Sequence, residues 1–175
     1  TKAKKTSKKS GEEKSFITEK TIASSDLKKT VPGGAEAWVL SMDRGLQIGV
    51  AGVAYTVTGD PEEVGPVLSR KKLKWKGHKL KDCYKSFHIE NPKTAWDQFL
   101  AAYVLKAGVI ESFSKTYLNL INKDLPELPT AAQYYEAHLE LEEYIKGELE
   151  KTDSLKVAKD IEFPLVGPLA EIEAR

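Results

Sequence analysis

Cysteine, methionine and the amide side chains are scarce in this 175-residue chain. It contains one Cys and one Met, with three Gln and three Asn. The single thiol, Cys83, excludes an internal disulfide framework, because a disulfide needs two cysteines. Few thermolabile residues together with many Lys and Glu are the composition described for hyperthermophile proteins. The sequence therefore indicates a thermophile protein without covalent cross-links.

Long apolar runs are also absent. A membrane-spanning helix needs about 20 mostly apolar residues, and the nearest candidate, residues 46–57, is too short. No apolar segment follows the lysine-rich start, so we expect no signal peptide. Apolar residues still make up 41% of the chain, which is enough to build a core.

Signatures of catalysis and of metal binding are missing from the sequence. It contains no P-loop, GxGxxG, GxSxG or HExxH motif. His78, Cys83 and His88 follow an H-x4-C-x4-H spacing, but zinc sites use a closer ligand pair and a fourth ligand. We therefore expect no catalytic residue, no metal and no cofactor, and a protein that is not an enzyme.

The net charge of +1 conceals a strong asymmetry along the chain. Residues 1–93 carry 19 Lys and Arg against 11 Asp and Glu, a net charge of +8. Residues 94–175 carry 8 against 15, a net charge of −7. Such a division is typical of a chain whose one part faces a polyanion while the other part has a different role.

Two groups of cations, with two aromatic residues interleaved in the second, carry the positive charge. Lysines neutralise phosphates as point charges, and only two of the 19 cations are Arg, so we expect phosphate contacts without base recognition. Trp75 and Tyr84 offer rings for stacking on unpaired bases. The alternative is a solvated charged face with both aromatics in the core. The predicted nucleic-acid contacts are Lys2, Lys4, Lys5, Lys8, Lys9, Lys14, Arg70, Lys71, Lys72, Lys74, Trp75, Lys76, Lys79, Lys81 and Lys85.

The sequence predicts a mainly α-helical fold in four parts. Ser10 and Glu13 resemble a capping box that opens a short helix near the start of the chain, and Asp60 with Pro61 marks another helix start. The four parts are a basic arm with short helices at 1–34, a basic segment packed on the bundle at 35–93, an antiparallel helical hairpin at 94–151, and an extended segment at 152–175.

Residues 35–58 permit two interpretations. As a helix, Trp38, Met42 and Val50 share one side, and three internal glycines each cost up to about 1 kcal/mol relative to Ala. As a β-hairpin over 37–57, apolar residues alternate on both sides of a turn at Asp43. The segment that follows Pro-Gly-Gly favours a helix start, so we take the helix as the prediction and the hairpin as the alternative.

From Thr94 onwards the spacing of apolar residues is helical. Trp96 begins a stripe that recurs at helical intervals up to residue 121, behind a capping-box-like pair of Thr94 and Asp97. Thr130 with Gln133 opens a second helix whose apolar face includes a histidine, His138, which we expect to pack in the core. A short proline-rich loop between two amphipathic helices predicts an antiparallel hairpin.

This organisation resembles the major coat proteins of archaeal filamentous and rod-shaped double-stranded DNA viruses. The resemblance lies in the segments KAKKTSKKSGEEKSF, RKKLKWKGHKLK, TAWDQFLAAYVLKAGVIESF and AAQYYEAHLELEEYIKGELE. It implies a structural protein of the virion that coats DNA non-specifically, self-assembles into a helical nucleocapsid filament and pairs with a second related coat subunit. It also places both lysine clusters against the DNA.

Two other functions fit the same residues. One is an RNA-binding structural subunit of a ribonucleoprotein, such as a ribosome-associated protein. The other is a non-enzymatic scaffold whose acidic helical hairpin binds other proteins. A cellular protein of either kind is expected in the cytoplasm.

Overall fold

A computed structural model describes residues 16–106 and 112–173, without the side chains of residues 161 and 162. The strands are β1 (Thr18–Ala23), β2 (Glu36–Ser41), β3 (Leu46–Val50), β4 (Val53–Thr58), β5 (Lys74–Gly77) and β6 (Lys93–Asp97). The helices are α1 (Ser24–Thr30), α2 (Pro61–Lys71), α3 (Leu80–Ser86), α4 (Gln98–Leu105), α5 (Phe113–Ile121), α6 (Ala131–Lys151), α7 (Leu155–Val157) and α8 (Phe163–Glu173), and a π-helical turn (Ala158–Glu162) joins α7 to α8.

All six strands form one mixed sheet in the order β1-β4-β3-β2-β5-β6. The central strands β2, β3 and β4 are antiparallel neighbours, whereas β1 runs parallel to β4. On the other side β5 runs parallel to both β2 and β6. The strands β2, β5 and β6 therefore end at the same edge of the sheet, and their connections through helices make this half an α/β unit.

Helices cover both faces of the sheet. One core joins alternate residues of β2, such as Val39, to Leu27 of α1 and Leu68 of α2. The other core joins the intervening residues, such as Trp38, to α4, α5 and Leu141 of α6. The result is three layers, helix on sheet on helix, around a central β3 that is buried on both faces.

The predicted mainly α-helical fold is wrong, and the sheet is the reason. Residues 35–58 form three antiparallel strands, β2, β3 and β4, so the predicted helix is wrong. The hairpin alternative describes β2 and β3 with the turn between them but not the third strand. The continuous helix expected from Thr94 is also wrong, because 93–97 is a strand and Asp97, not Thr94, caps α4. A strand buried on both faces is apolar throughout and lacks the period of two that identifies half-buried strands.

Two helix starts are confirmed. α2 begins with Pro61 at its first position, behind Asp60. At the start of α6 the Thr130 hydroxyl accepts the Gln133 amide at 3.1 Å, and the Gln133 side chain accepts the Thr130 amide at 2.9 Å, which completes the capping box. Within residues 16–106 and 112–173, no helix is both long and apolar enough to cross a lipid bilayer.

Gly65 lies where α2 closely approaches the segment after α3, so a substitution at this position tests how the two pack together. A Cβ at this position would lie 1.9 Å from the carbonyl oxygen of Phe87. Gly65→Ala is therefore expected to lower the free energy of unfolding by about 2–3 kcal/mol, as overpacking against backbone does. Gly147 is the matched control, since a Cβ there meets nothing within 4 Å.

Gly147→Ala is expected to raise the free energy of unfolding by about 1 kcal/mol, because Ala is the better helix former. Urea denaturation of the two variants measures both changes. Equal effects of the two substitutions would contradict the packing of α2 described above.

Candidate nucleic-acid interface

The short strand β5 divides the predicted second cluster of cations into two groups. Four residues, Lys74–Gly77, separate the end of α2 from the start of the turn into α3. At about 3.3 Å per residue, this strand moves the chain across the sheet by roughly 13 Å. Arg70, Lys71, Lys72 and Lys74 therefore lie at one end of the sheet, and Lys79, Lys81 and Lys85 lie at the other.

Cations from α1, α2 with the residue after it, β5 and β6 lie together at the amino-terminal end of the parallel strands. The Lys71 ammonium donates to the Lys28 carbonyl, which joins the last turns of α1 and α2. Lys74 and Lys93 are register partners on β5 and β6. We call this surface the basic edge; its members are Lys28, Lys29, Arg70, Lys71, Lys72, Lys74 and Lys93. Lysines in the last turn of α1 and basic residues in the last turn of α2 also complement the negative ends of those helices.

A cleft of about 570 Å³ opens in the basic edge, between the end of α2 and the segment that leads into β6. Arg70, Lys72 and Lys93 line it together with Ser69 and Pro66 of α2 and with His88, Glu90 and Asn91. The Ser69 hydroxyl fixes its two walls together, because it donates to the Gly65 carbonyl and accepts the Glu90 amide, both at 2.9 Å.

Three of the seven non-glycine residues with positive φ in the described part of the chain lie around the cleft. Lys72, His88 and Asn91 have φ angles of 48°, 50° and 47°, in the left-handed region that non-glycine residues rarely adopt. Each such residue costs on the order of 1 kcal/mol, and strain of this kind clusters at functional sites. The cleft is thus held in an unfavourable backbone conformation by its surroundings.

The cations of the second cluster from Lys76 onwards are engaged within the protein. The Lys76 ammonium lies 3.1 Å from Glu142 and 3.2 Å from Glu36, and it is half-buried. Both Lys81, at 2.9 Å, and Lys85, at 3.2 Å, pair with Glu173 of α8. The Lys79 ammonium lies 5.0 Å from the centre of the Phe99 ring. These contacts compete with any phosphate for the same charges.

Trp75 and Tyr84 lie in the core, as in the alternative interpretation, and present no ring surface on which a base could stack. The two side chains are 1% and 2% exposed and belong to the core beneath α2 and α3. The Tyr84 hydroxyl shares a hydrogen bond of 2.7 Å with that of Thr94, and burial raises the pKa of this phenol. Alternation in the β5 sequence, with Lys74 and Lys76 flanking an inward Trp75, was the signal for this arrangement. The first cluster, Lys2 to Lys14, lies outside the described residues.

A second cavity, of about 290 Å³, lies at the carboxyl ends of β2 and β5. Ligands of open α/β sheets commonly bind at this edge. Its polar lining includes the carboxylates of Asp43 and Asp82, with Lys79 as its cation. With two carboxylates against one cation, this lining suits a polyanion less well than the cleft does. Among the described residues, no group of three His, Cys, Asp or Glu side chains is placed to hold a metal ion.

The β6–α4 junction holds this end of the sheet together through Asp97. Its carboxylate accepts the backbone amides of Phe99 at 2.9 Å and Leu100 at 3.3 Å, which caps α4. It also accepts those of Lys79 at 3.3 Å and Leu80 at 3.0 Å, at the start of α3. Burial raises the pKa of Asp97 to about 6, although the four amides act in the opposite direction.

Gln98 extends the junction into α6. Its side-chain amide donates to the His138 carbonyl at 3.1 Å and contacts the ring Nδ1 at 3.0 Å, while its oxygen accepts the Trp96 indole N–H. The other ring nitrogen lies 3.2 Å from the Leu40 carbonyl. Burial lowers the pKa of His138 to about 3, so the ring is neutral. The expected core position of His138 is confirmed.

The fold is similar to that of the POL domain of Pol1 from M. smegmatis, which was solved in complex with DNA primer-template and dNTP. The TM-score is 0.61 over 86% of this chain, at 20% sequence identity. The match covers 30% of that chain, so this chain spans less than a third of the length of the polymerase structure. The sequence matches no protein-family model and no curated protein sequence.

This likeness overturns the resemblance to archaeal virus coat proteins. The chain forms a mixed six-stranded sheet covered by helices, similar to the POL domain, and not a basic arm joined to a helical bundle. The expected coat function, the capsid and filament organisation and the location in a virion are therefore wrong. The expectation that the chain is not an enzyme is wrong as well, because the fold is similar to that of a domain solved from a DNA polymerase.

Asp97 generates a prediction for the pH dependence of stability. Its pKa is about 6 in the folded chain and about 4 when unfolded, so between these values the folded state binds more protons. Stability from this group is therefore present at pH 4 and is lost as the pH rises through 6. Urea unfolding of wild type and Asp97→Asn at pH 4 and pH 7 is the measurement.

The stability of wild type relative to Asp97→Asn is expected to be greater at pH 4 than at pH 7 by about 2 kcal/mol. His138 titrates in both proteins, so its contribution cancels in the comparison. A difference that stays constant with pH would contradict the buried, capping position of Asp97.

Proposed function

We propose that this chain is a DNA-binding domain of a template-directed DNA polymerase and that its basic edge contacts the phosphate backbone. The main support is the similarity in fold, over 86% of the chain, to a polymerase domain that was solved with a DNA primer-template. The basic edge supplies the chemistry, because seven cations at one end of the sheet match the charge of a nucleic-acid backbone.

The composition of the basic edge supports contacts to phosphates. Six of its seven cations are lysines, which neutralise phosphates as point charges and read no base pattern. A polymerase must bind primer-template of any sequence, so contacts of this kind suit the proposed role. Within residues 16–106 and 112–173, no carboxylate forms a salt bridge with Arg70, Lys74 or Lys93.

The acidic side chains of α6 support a single orientation on DNA. Glu136, Glu143 and Glu150 are exposed on this helix, which packs on the sheet face opposite to α1 and α2. Repulsion between these carboxylates and DNA disfavours binding through the α6 layer. The basic edge, formed by the other helical layer and the ends of β5 and β6, then faces the phosphates.

The proposal predicts binding that falls steeply with salt. If four cations of the basic edge each neutralise one phosphate, affinity for a fluorescein-labelled primer-template should fall about 100-fold between 50 and 200 mM NaCl. The triple variant Arg70→Glu, Lys74→Glu, Lys93→Glu should bind at least about 30-fold more weakly at 50 mM, with a salt slope smaller by about three. Fluorescence anisotropy measures both quantities.

The matched control reverses three exposed lysines outside the basic edge, Lys20, Lys115 and Lys156. It changes the net charge by the same amount, and we expect it to weaken binding less than fivefold. If the control weakens binding as much as the basic-edge variant does, net charge and not this surface governs the affinity. If wild type and both variants fail to bind primer-template, the proposed function is wrong.

A further inference from the structure

We propose that the cleft in the basic edge binds a phosphomonoester, such as the 5′-phosphate of a DNA strand. The inference rests on the proposed function, because the same surface would contact DNA. It goes further by distinguishing a terminal phosphate, which carries a charge close to −2, from the backbone diesters, which carry −1 each.

The charge of the cleft matches a phosphomonoester. Arg70, Lys72 and Lys93 contribute +3 and Glu90 contributes −1, so these four side chains sum to a net charge of +2. Among the described residues, no salt bridge involves any of the three cations, whereas Lys76, Lys81 and Lys85 all have carboxylate partners. Three mutually repelling cations around one cavity are best stabilised by an anion.

The shape of the cleft favours the end of a strand or a free nucleotide. A continuous backbone follows an open groove, while a recess of about 570 Å³ has room for a phosphate with its attached sugar and base. Arg70 offers a planar pair of N–H donors, and two lysines supply further charge.

The walls of the cleft are anchored before any ligand binds. The Glu90 amide donates to Ser69, the Ile89 amide donates to the Tyr84 carbonyl at 3.0 Å, and the Asn91 amide donates to the Glu171 carboxylate at 3.2 Å. These bonds hold the left-handed residues His88 and Asn91 in place. Binding therefore requires little ordering of the chain, which is the condition for a preformed site.

The test compares two DNA duplexes of identical sequence, one with a 5′-phosphate and one with a 5′-hydroxyl end. Wild type should bind the phosphorylated duplex about tenfold more tightly in anisotropy titrations at 150 mM NaCl. The double variant Arg70→Gln, Lys93→Gln should lose this preference. Lys74→Gln is the matched control: it removes a neighbouring charge that does not line the cleft, so it should weaken both duplexes equally and keep the ratio.

Glu90→Gln provides a variant whose effect cannot come from misfolding. Removing the carboxylate from the cleft should increase the preference for the 5′-phosphate severalfold. Deoxynucleoside monophosphate at millimolar concentration distinguishes the two sources of the ligand. If it lowers the affinity for the phosphorylated duplex to that for the hydroxyl duplex, free nucleotides enter the same cleft. If the affinity for the phosphorylated duplex is unchanged, the cleft is a site for strand ends.

The outcomes separate this inference from the proposed function. Equal, tight binding of both duplexes by wild type would overturn the phosphomonoester site and leave the DNA-binding proposal standing. A preference that survives in the Arg70→Gln, Lys93→Gln variant would overturn the assignment to this cleft. An absence of binding to either duplex would overturn both.

Discussion

The carboxylate of Asp97 accepts four backbone amides from two helix starts, and the carboxyl end of the parallel strands depends on it. The amides at the start of a helix have no partner within that helix. Here one buried side chain satisfies those of α3 and α4 together. Its neighbour Gln98 continues the network to His138 of α6, so hydrogen bonds between buried groups join strand, turn and helix at this end.

The two ends of β2, β5 and β6 have different roles as a consequence. At the carboxyl end, buried polar groups and salt bridges such as Lys81 with Glu173 join the elements to each other. At the amino-terminal end, the cations of the basic edge other than the half-buried Lys71 are exposed. Arg70 and Lys93 have no carboxylate partner among the described residues. The buried junction at the carboxyl end makes this end of the sheet rigid, and the rigid sheet holds the cations at the other end in fixed positions, as the proposed contacts with DNA require.

Local signals in the sequence predict where some helices begin, but they do not predict the sheet on which the fold is built. Pro61 and the capping box at Thr130 identify their helices because each acts within one turn. The sheet is not local: residues such as Trp38 and Ile48 lie between two layers of helices, so their strands lack polar alternation. The candidate site could not be predicted for the same reason. Lysines adjacent in sequence predict one surface, and only the position of β5 in the sheet shows that they lie at opposite ends of the sheet.

Hydrogen–deuterium exchange of the whole chain with and without primer-template DNA tests the central claim most directly, namely that the basic edge is the face that meets DNA. The account predicts slower amide exchange on DNA binding in residues 69–74 and 88–93, which form the basic edge and its cleft. Residues 136–150 on the acidic face of α6 should exchange at unchanged rates. Protection confined to α6, with unchanged exchange in both segments of the basic edge, would contradict it.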